Sequence, residues 1–254
     1  MRVLYLGNNR LGVEVLKFLK EEDEEIVGIG VHPPHKRTYG QELLDVAGLQ
    51  QDRILPGQSI SQPETANKLR QLNPDLVVSV LFGYILSPEV LKIPRLGSIN
   101  LHPAYLPYNR GANPNVWSIV EGAPAGVTLH YMGERIDTGD IIARESVSIE
   151  PTDTGKTLYR KIEQTGLELF RKTWSKIREG RASRLPQNGN EGTYHRVSDL
   201  DQIDRIDLEA TYRARNLINI LRARTFRPHK GAYFEIDGQR VYMRLDLQYE
   251  EDFD

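Results

Sequence analysis

Three polar side chains of chemically useful types stand in two short segments: Asn100 and His102 in NLHPAYLP, and Asp137 in IDTGD. An amide can donate a hydrogen bond to an oxyanion developing on a carbonyl. An imidazole can carry a proton or assist that stabilisation, and a carboxylate can orient the imidazole or an ordered water. Such a set suits acyl transfer to a nucleophile that arrives with the substrate. Two residues apart on an extended chain, Asn100 and His102 point to one side, and Pro103 stops the strand ladder just beyond them. Each residue also has a plain structural alternative, because a histidine at a strand end often serves architecture and a carboxylate in a turn commonly caps its own backbone. Gly139, two residues after Asp137, permits a tight backbone approach. With no cysteine in 254 residues, disulfides, thiolate metal sites and cysteine nucleophiles are excluded.

The elements that must hold these residues alternate along the first half: RVLYLG, LGVEVLKFLKEE, EEIVGIGV, then PETANKLRQLN, DLVVSVLF and GSINLH. That order predicts an α/β fold, a Rossmann-like open and mainly parallel sheet. VVSVLF is continuous and β-branched rather than alternating, as a strand covered on both faces should be. Ligands of such sheets lie beyond the carboxyl ends of the strands, where Asn100 and His102 fall. AGVTLHYM and DIIARESVSI read as two more strands joined by GERIDTG. A long helix is predicted from Thr154 to about Gly180, with Leu158, Ile162, Leu169, Phe170, Trp174 and Ile177 on its buried side and Asp153 or Thr154 as its cap. RASRLPQNGNEG loses this periodicity, so the boundary is set between a catalytic domain at 1–185 and an extension at 186–254 for substrate binding, dimerisation or both. The extension reads as a helix around Leu208 to Ala223, then the strands GAYFEI and RVYMRLDLQY about the turn DGQ.

Thirty-three basic against 35 acidic side chains give a net charge of −2, which supplies no global attraction for a polyanion. No apolar run reaches membrane-spanning length, and MRVLYLGNNRLG lacks the features of a signal peptide, so a cytoplasmic protein is expected. GNNRLG is not GxGxxG, which argues against a nicotinamide cofactor; it presents Asn9 and Arg10 for a substrate phosphate, or as ordinary surface groups. DTG occurs in aspartic proteases, but those need a second such loop and a β-rich fold. His32 and His35 lie among prolines without a cysteine, which weighs against a metal.

NLHPAYLP, then GANPNVW, then IDTGDII resembles the formyltransferase family that uses 10-formyltetrahydrofolate, in which Asn-x-His-Pro-x-x-Leu-Pro precedes an aspartate by a few dozen residues. The likeness covers most of residues 1–180. It implies a catalytic triad of Asn100, His102 and Asp137, and direct transfer without a covalent enzyme intermediate. It also implies a pterin pocket at Phe82, Gly83, Tyr84, Ile85 and Leu86 together with Ile136, Thr138, Gly139 and Asp140. FGYIL has the needed character, an apolar slot with accessible backbone groups.

The family divides by acceptor. Methionyl-tRNA formyltransferases are longer and carry a basic C-terminal domain, whereas glycinamide ribonucleotide formyltransferases end soon after the long helix. GTYHR, LRARTFRPHKGAYFEIDGQRVYMRL and GANPNVWSIVEGAPAGVTLHYM are most similar to sugar N-formyltransferases. That resemblance implies a nucleotide-linked amino sugar as acceptor, by preference a dTDP-linked 4-amino-4,6-dideoxyhexose of surface polysaccharide (O-antigen-type) synthesis, with no nucleic acid or membrane partner, and a homodimer. For the acceptor it points to Tyr105, Tyr108, Asn109 and Arg110 around the sugar, and to Tyr194, His195, Arg222, Arg224 and Lys230 for a base and a pyrophosphate. The competing readings are a formyltetrahydrofolate hydrolase and a non-catalytic nucleotide-binding module.

Overall fold

The computed structural model describes residues 1–189 and 191–252. Along the chain run β1 (Arg2–Gly7), α1 (Asn9–Glu21), β2 (Glu25–Val31), α2 (Gly40–Ala47), β3 (Ile54–Pro56), α3 (Pro63–Leu72) and β4 (Leu76–Val80). There follow α4 (Pro88–Leu91), β5 (Ser98–His102), β6 (Arg110–Gly111), α5 (Pro114–Glu121), β7 (Ala125–Tyr131), β8 (Ile141–Val147) and α6 (Gly155–Arg178). Last come β9 (Tyr194–His195), α7 (Asp201–Asp204), α8 (Ala214–Ala223), β10 (Tyr233–Ile236) and β11 (Gln239–Tyr242). Seven strands form one sheet in the order β3-β2-β1-β4-β5-β7-β8. The first five are parallel, and β7 runs antiparallel to both β5 and β8. This is the expected Rossmann-like α/β sheet. Its strand order reverses between β1 and β4, where such sheets open a crevice.

The continuous apolar runs follow from burial on both faces. Val3 and Tyr5 of β1 enter one cluster with Leu16, Phe170 and Trp174, whereas Leu4 and Leu6 enter the other with Leu69 and Val77. Helix α6 is built as its pattern requires. Thr154 caps it, its hydroxyl accepting from Thr157 N while Thr157 Oγ1 accepts from Thr154 N. Asp153 braces this turn from outside, accepting from Thr157 Oγ1 and Lys161 Nζ at 2.9 and 2.8 Å.

Beyond α6, Gln187 and residues 191–195, placed by the sequence in the extension, contact the loops that carry Asp137 and Asn109. Leu185 exchanges backbone hydrogen bonds with Ile141 at the mouth of β8, and β9 pairs in parallel with β6. The last helix begins at Ala214 rather than near Leu208, because Asp207 ties 207–212 into a turn: Oδ1 accepts from Glu209 N and its own N–H donates to the Tyr212 hydroxyl. The hairpin β10–β11 turns on Asp237 and Gly238, both at positive φ, 50° and 73°, while Gln239 already pairs with Ile236.

Candidate active site

A cleft of about 640 Å³ opens at the carboxyl ends of β1, β4 and β5, with Asn9, Leu81 to Leu86, and Asn100 to Pro103 on its wall and floor. The antiparallel register of β5 with β7 sets Asn100 opposite His130, and Asn100 Nδ2 lies 3.3 Å from His130 Nε2. The loop after β7 folds Asp137 back over the same strands. Its Oδ2 lies 3.6 Å from His102 Nε2 and its Oδ1 lies 3.5 Å from His130 Nε2. Asp137 adopts φ 54°, a left-handed conformation that aspartate tolerates better than most residues. Gly139 allows the loop to close, since a Cβ there would stand 1.9 Å from the Tyr131 carbonyl oxygen.

The polar groups at the floor are buried and partnered. Asp137 accepts a 2.9 Å bond from Gly111 N–H. Burial would raise its pKa, but the neighbouring His102 and His130 rings and the Gly111 N–H outweigh that and hold the carboxyl well below the usual range. His102 is 5% exposed. Burial lowers its pKa and outweighs the opposing pull of Asp137, so the ring is neutral at neutral pH. His102 Nε2 faces the Asn109 carbonyl at 3.4 Å and the Asp137 carboxylate, two acceptors, which assigns the ring hydrogen to Nε2 and leaves the lone pair on Nδ1. His130 donates from Nδ1 to the Tyr131 carbonyl at 2.8 Å, which fixes its ring. The floor therefore offers an amide donor, a neutral imidazole and an ionised carboxylate within one hydrogen-bonded cluster, a set able to polarise a carbonyl and move one proton.

One side of the cleft is the slot read from FGYIL. Phe82 and Leu86 are buried, Gly83 and Ile85 face the opening, and Tyr84 and Leu86 N–H find no acceptor among the described residues. A flat heterocycle with several acceptors fits such a slot. His32 supports it from behind, with Nε2 accepting from Gly83 N–H at 3.2 Å and its ring against Phe82 and Tyr84. Burial, with Lys36 nearby, keeps that histidine in the neutral form the bond requires. Ile136 also lines the cleft; Thr138, Gly139 and Asp140 do not, being turned toward the loop and the sheet edge.

The substrate residues named from sequence divide sharply. Asn9, Tyr194 and His195 line the cleft. Arg10 borders a separate shallow groove beside Lys17 and Tyr39. Tyr105 lies under the Arg144 guanidinium, and Tyr108 stays in the turn, its N–H bonded to the Tyr105 carbonyl. Asn109 is wholly buried, its side chain bonded to the Ser118 and Thr193 hydroxyls, and Arg110 donates to the Pro107 and Glu191 carbonyls, so neither faces open space. Arg222 donates to the carbonyls of Glu150, Pro151 and Asp153. Arg224 makes a bidentate pair with Asp204, and Lys230 lies near the Tyr242 ring. Arg110, Arg222 and Arg224 each spend part of their guanidinium on groups of the fold.

His130 was missed. Its signal is a lone histidine in the apolar run AGVTLHYM, but only strand pairing shows that it faces Asn100. Tyr159 and Arg196, also on the cleft, come from α6 and from the segment after β9.

The chain matches the family described as Formyl transferase over residues 1–173. Residues 199–249 match the N-formyltransferase dimerization C-terminal domain. A methionyl-tRNA formyltransferase from Caldanaerobacter subterraneus subsp. tengcongensis is 32% identical over 249 residues, covering 95% of this chain and 79% of that protein. Among solved structures, a 4-N formyltransferase from Francisella tularensis superposes with a TM-score of 0.84 at 28% identity, covering 98% of both chains. The formyltransferase PseJ from Anoxybacillus kamchatkensis, in complex with UDP-4,6-dideoxy-4-formamido-L-AltNAc and tetrahydrofolate, superposes with a TM-score of 0.58 at 30% identity, over 80% of this chain and 89% of that one.

Proposed function

Because the chain belongs to the formyl transferase family, we propose that it transfers a formyl group from 10-formyltetrahydrofolate to the amine of a nucleotide-linked amino sugar, with Asn100, His102 and Asp137 as the catalytic residues. The observation that carries this reading is the convergence of an amide, a neutral imidazole and a carboxylate at the floor of a cleft with an apolar slot on one side. Phe82 to Leu86, with Ile136, hold the pterin, and bound 10-formyltetrahydrofolate supplies an activated formyl carbon. Asn100 donates through Nδ2 to the formyl oxygen as negative charge grows there. A C–N bond forms to the sugar amine and the C–N bond to the folate nitrogen breaks. His102, neutral at the outset, takes the amine proton and returns it to the departing nitrogen. The Asp137 carboxylate, 3.6 Å away, stabilises the imidazolium in between.

The sugar acceptor is supported by similarity to a 4-N formyltransferase over 98% of both chains, and by the amino-sugar complex of PseJ. The second reading, a methionyl-tRNA acceptor, is favoured by the 32% identity to such an enzyme. Residues 199–249 carry nine Lys and Arg against eight Asp and Glu, so they lack the basic excess that neutralising a tRNA backbone requires. That balance favours the sugar. Tyr194, 46% exposed at the rim, is the side chain for a nucleobase to stack on. A homodimer through the C-terminal unit belongs to the same proposal, supported by Ile236 and Val241 of the hairpin, 51% and 40% exposed.

The test is a panel. With 10-formyltetrahydrofolate as donor, dTDP-, UDP- and GDP-linked 4-amino-4,6-dideoxyhexoses are compared with glycinamide ribonucleotide, methionyl-tRNA and no acceptor. Turnover with a nucleotide sugar, a dTDP-linked one by preference, is expected. Formylation of methionyl-tRNA alone would overturn the sugar reading, and rapid deformylation without an amine would make the enzyme a hydrolase.

A further inference from the structure

Residues 185–189 and 191–195 form a strap across the two loops that carry the catalytic floor, with contacts concentrated on those loops. From one end, Gln187 Nε2 donates to the carbonyls of Asp137 and Gly139 at 3.0 and 2.7 Å. From the other, Thr193 Oγ1 accepts from Asn109 N–H at 3.1 Å and donates to Asn109 Oδ1 at 3.0 Å. Asn109 is 0% exposed, sits at φ 55°, and turns its carbonyl to His102 Nε2 at 3.4 Å. Its side-chain amide is anchored on Ser118 at 2.8 Å. The strap backbone completes the arrangement: Thr193 O accepts from Arg110 N–H and His195 O from Ala112 N–H, on either side of the Gly111 N–H that binds Asp137.

The chemistry of Gln187 points beyond packing. Among the described residues its Oε1 is buried without a hydrogen-bond partner, which is unfavourable for folding. What the amide gives in return is two N–H bonds to the loop that presents Asp137.

We propose that Gln187 and Thr193 are positioning residues, which fix the separation of His102 and Asp137 by holding the Asp137 and Asn109 backbones from a single strap. Neither touches the reacting atoms. The inference rests on the proposed acid–base role of His102 and Asp137. The strap leads directly into residues 199–249, so the C-terminal unit is joined to the catalytic floor through it.

The test uses the full-length enzyme with Thr193→Val, which removes the hydroxyl at constant shape, Thr193→Ser, which restores it, Gln187→Leu, and Asp137→Ala as reference. Turnover is measured with the best acceptor of the panel, starting from dTDP-4-amino-4,6-dideoxyglucose, with melting temperatures in parallel. Thr193→Val and Gln187→Leu are expected to lower kcat by roughly tenfold to a hundredfold at little changed KM, and Thr193→Ser to recover most of it. An activity-independent readout follows the His102 ring proton by NMR through a pH titration, the ring being faced by Asp137, His130 and the Asn109 carbonyl. In Thr193→Val the midpoint should fall, as the carboxylate that favours the charged ring moves away, and in Thr193→Ser it should not. If Asp137→Ala is inactive while Thr193→Val and Gln187→Leu keep kcat within twofold, the strap has no positioning role. The same conclusion follows if Thr193→Ser loses as much as Thr193→Val, or if the His102 midpoint is unchanged in Thr193→Val. If Asp137→Ala keeps its turnover, the catalytic reading itself fails, and the ring-proton titration still decides whether the strap sets the geometry.

Discussion

Two of the regions in which this protein buries charged groups treat them in opposite ways. In the C-terminal unit, Arg224 and Asp204 are 10% and 14% exposed and satisfy each other, and Arg222 closes on three carbonyls of the turn before α6. At the catalytic floor, Asp137 is 10% exposed as well, yet its two histidine neighbours stand at 3.5 and 3.6 Å, beyond good hydrogen bonds. The first arrangement closes its hydrogen-bond capacity. The second leaves an amide, a ring nitrogen and a carboxylate able to change partners. Buried charge is thus no sign of function by itself; unspent hydrogen-bonding capacity beside a cleft is.

Arg224→Met sharpens this contrast most. It leaves Asp204 buried without its partner and should cost roughly 3 kcal/mol of stability, visible in urea unfolding, while kcat per folded molecule stays near that of the parent. Asp137→Ala and His102→Ala should instead lower turnover per folded molecule by about a hundredfold or more. Should either variant keep near-normal turnover at saturating folate and acceptor, the mechanism is wrong. Arg222→Met, which frees three carbonyls at a half-exposed site, should cost about 1 to 2 kcal/mol and leave KM for the acceptor unaltered. A raised KM would return Arg222 to the substrate site.

The smallest effect is a pH dependence of stability. His32 and His102 both have pKa values lowered by burial from 6.5. The unfolded chain therefore binds more protons than the folded one just below pH 6.5, and stability rises with pH there. Their contribution is complete above 6.5 and is lost as pH falls through the depressed values. Asp75, Asp137 and Asp153, held below 3.8, add a second loss at more acidic pH. Urea midpoints from pH 8 to about pH 2 should decline in that order. Replacing His32 by Gln should flatten part of the first decline, since a glutamine side chain can accept from Gly83 N–H without titrating.

Much of the fold was legible because it rests on local patterns. Double-sided burial makes β1 and β4 continuously apolar, a 3.6-residue stripe with a threonine cap makes α6, and an Asp-Gly pair makes the hairpin turn. The start of α8 was misread because an aspartate side chain closes a turn that mimics the first turn of a helix. Of the proposed site, Asn100, His102, Asp137 and Phe82 to Leu86 were named from sequence, and the fold brings them to one cleft. His130 was not, because its role comes from the register of β7 against β5. For Arg222 and Arg224 the fold shows partners within the chain, which a composition of arginines and aromatics does not reveal.

The sequence by itself determined the α/β sheet, the placing of an amide and an imidazole two residues apart at a strand end, and the confinement of the chemistry to residues other than cysteine. Those depend on backbone period and side-chain type, which neighbours in the chain dictate. The tertiary structure alone shows that Asp137 returns over β5, that His130 joins it, that His102 is neutral, and that Gln187 and Thr193 tie both loops together. Each of these depends on which distant groups exclude water from one another, and a linear chain does not contain those distances.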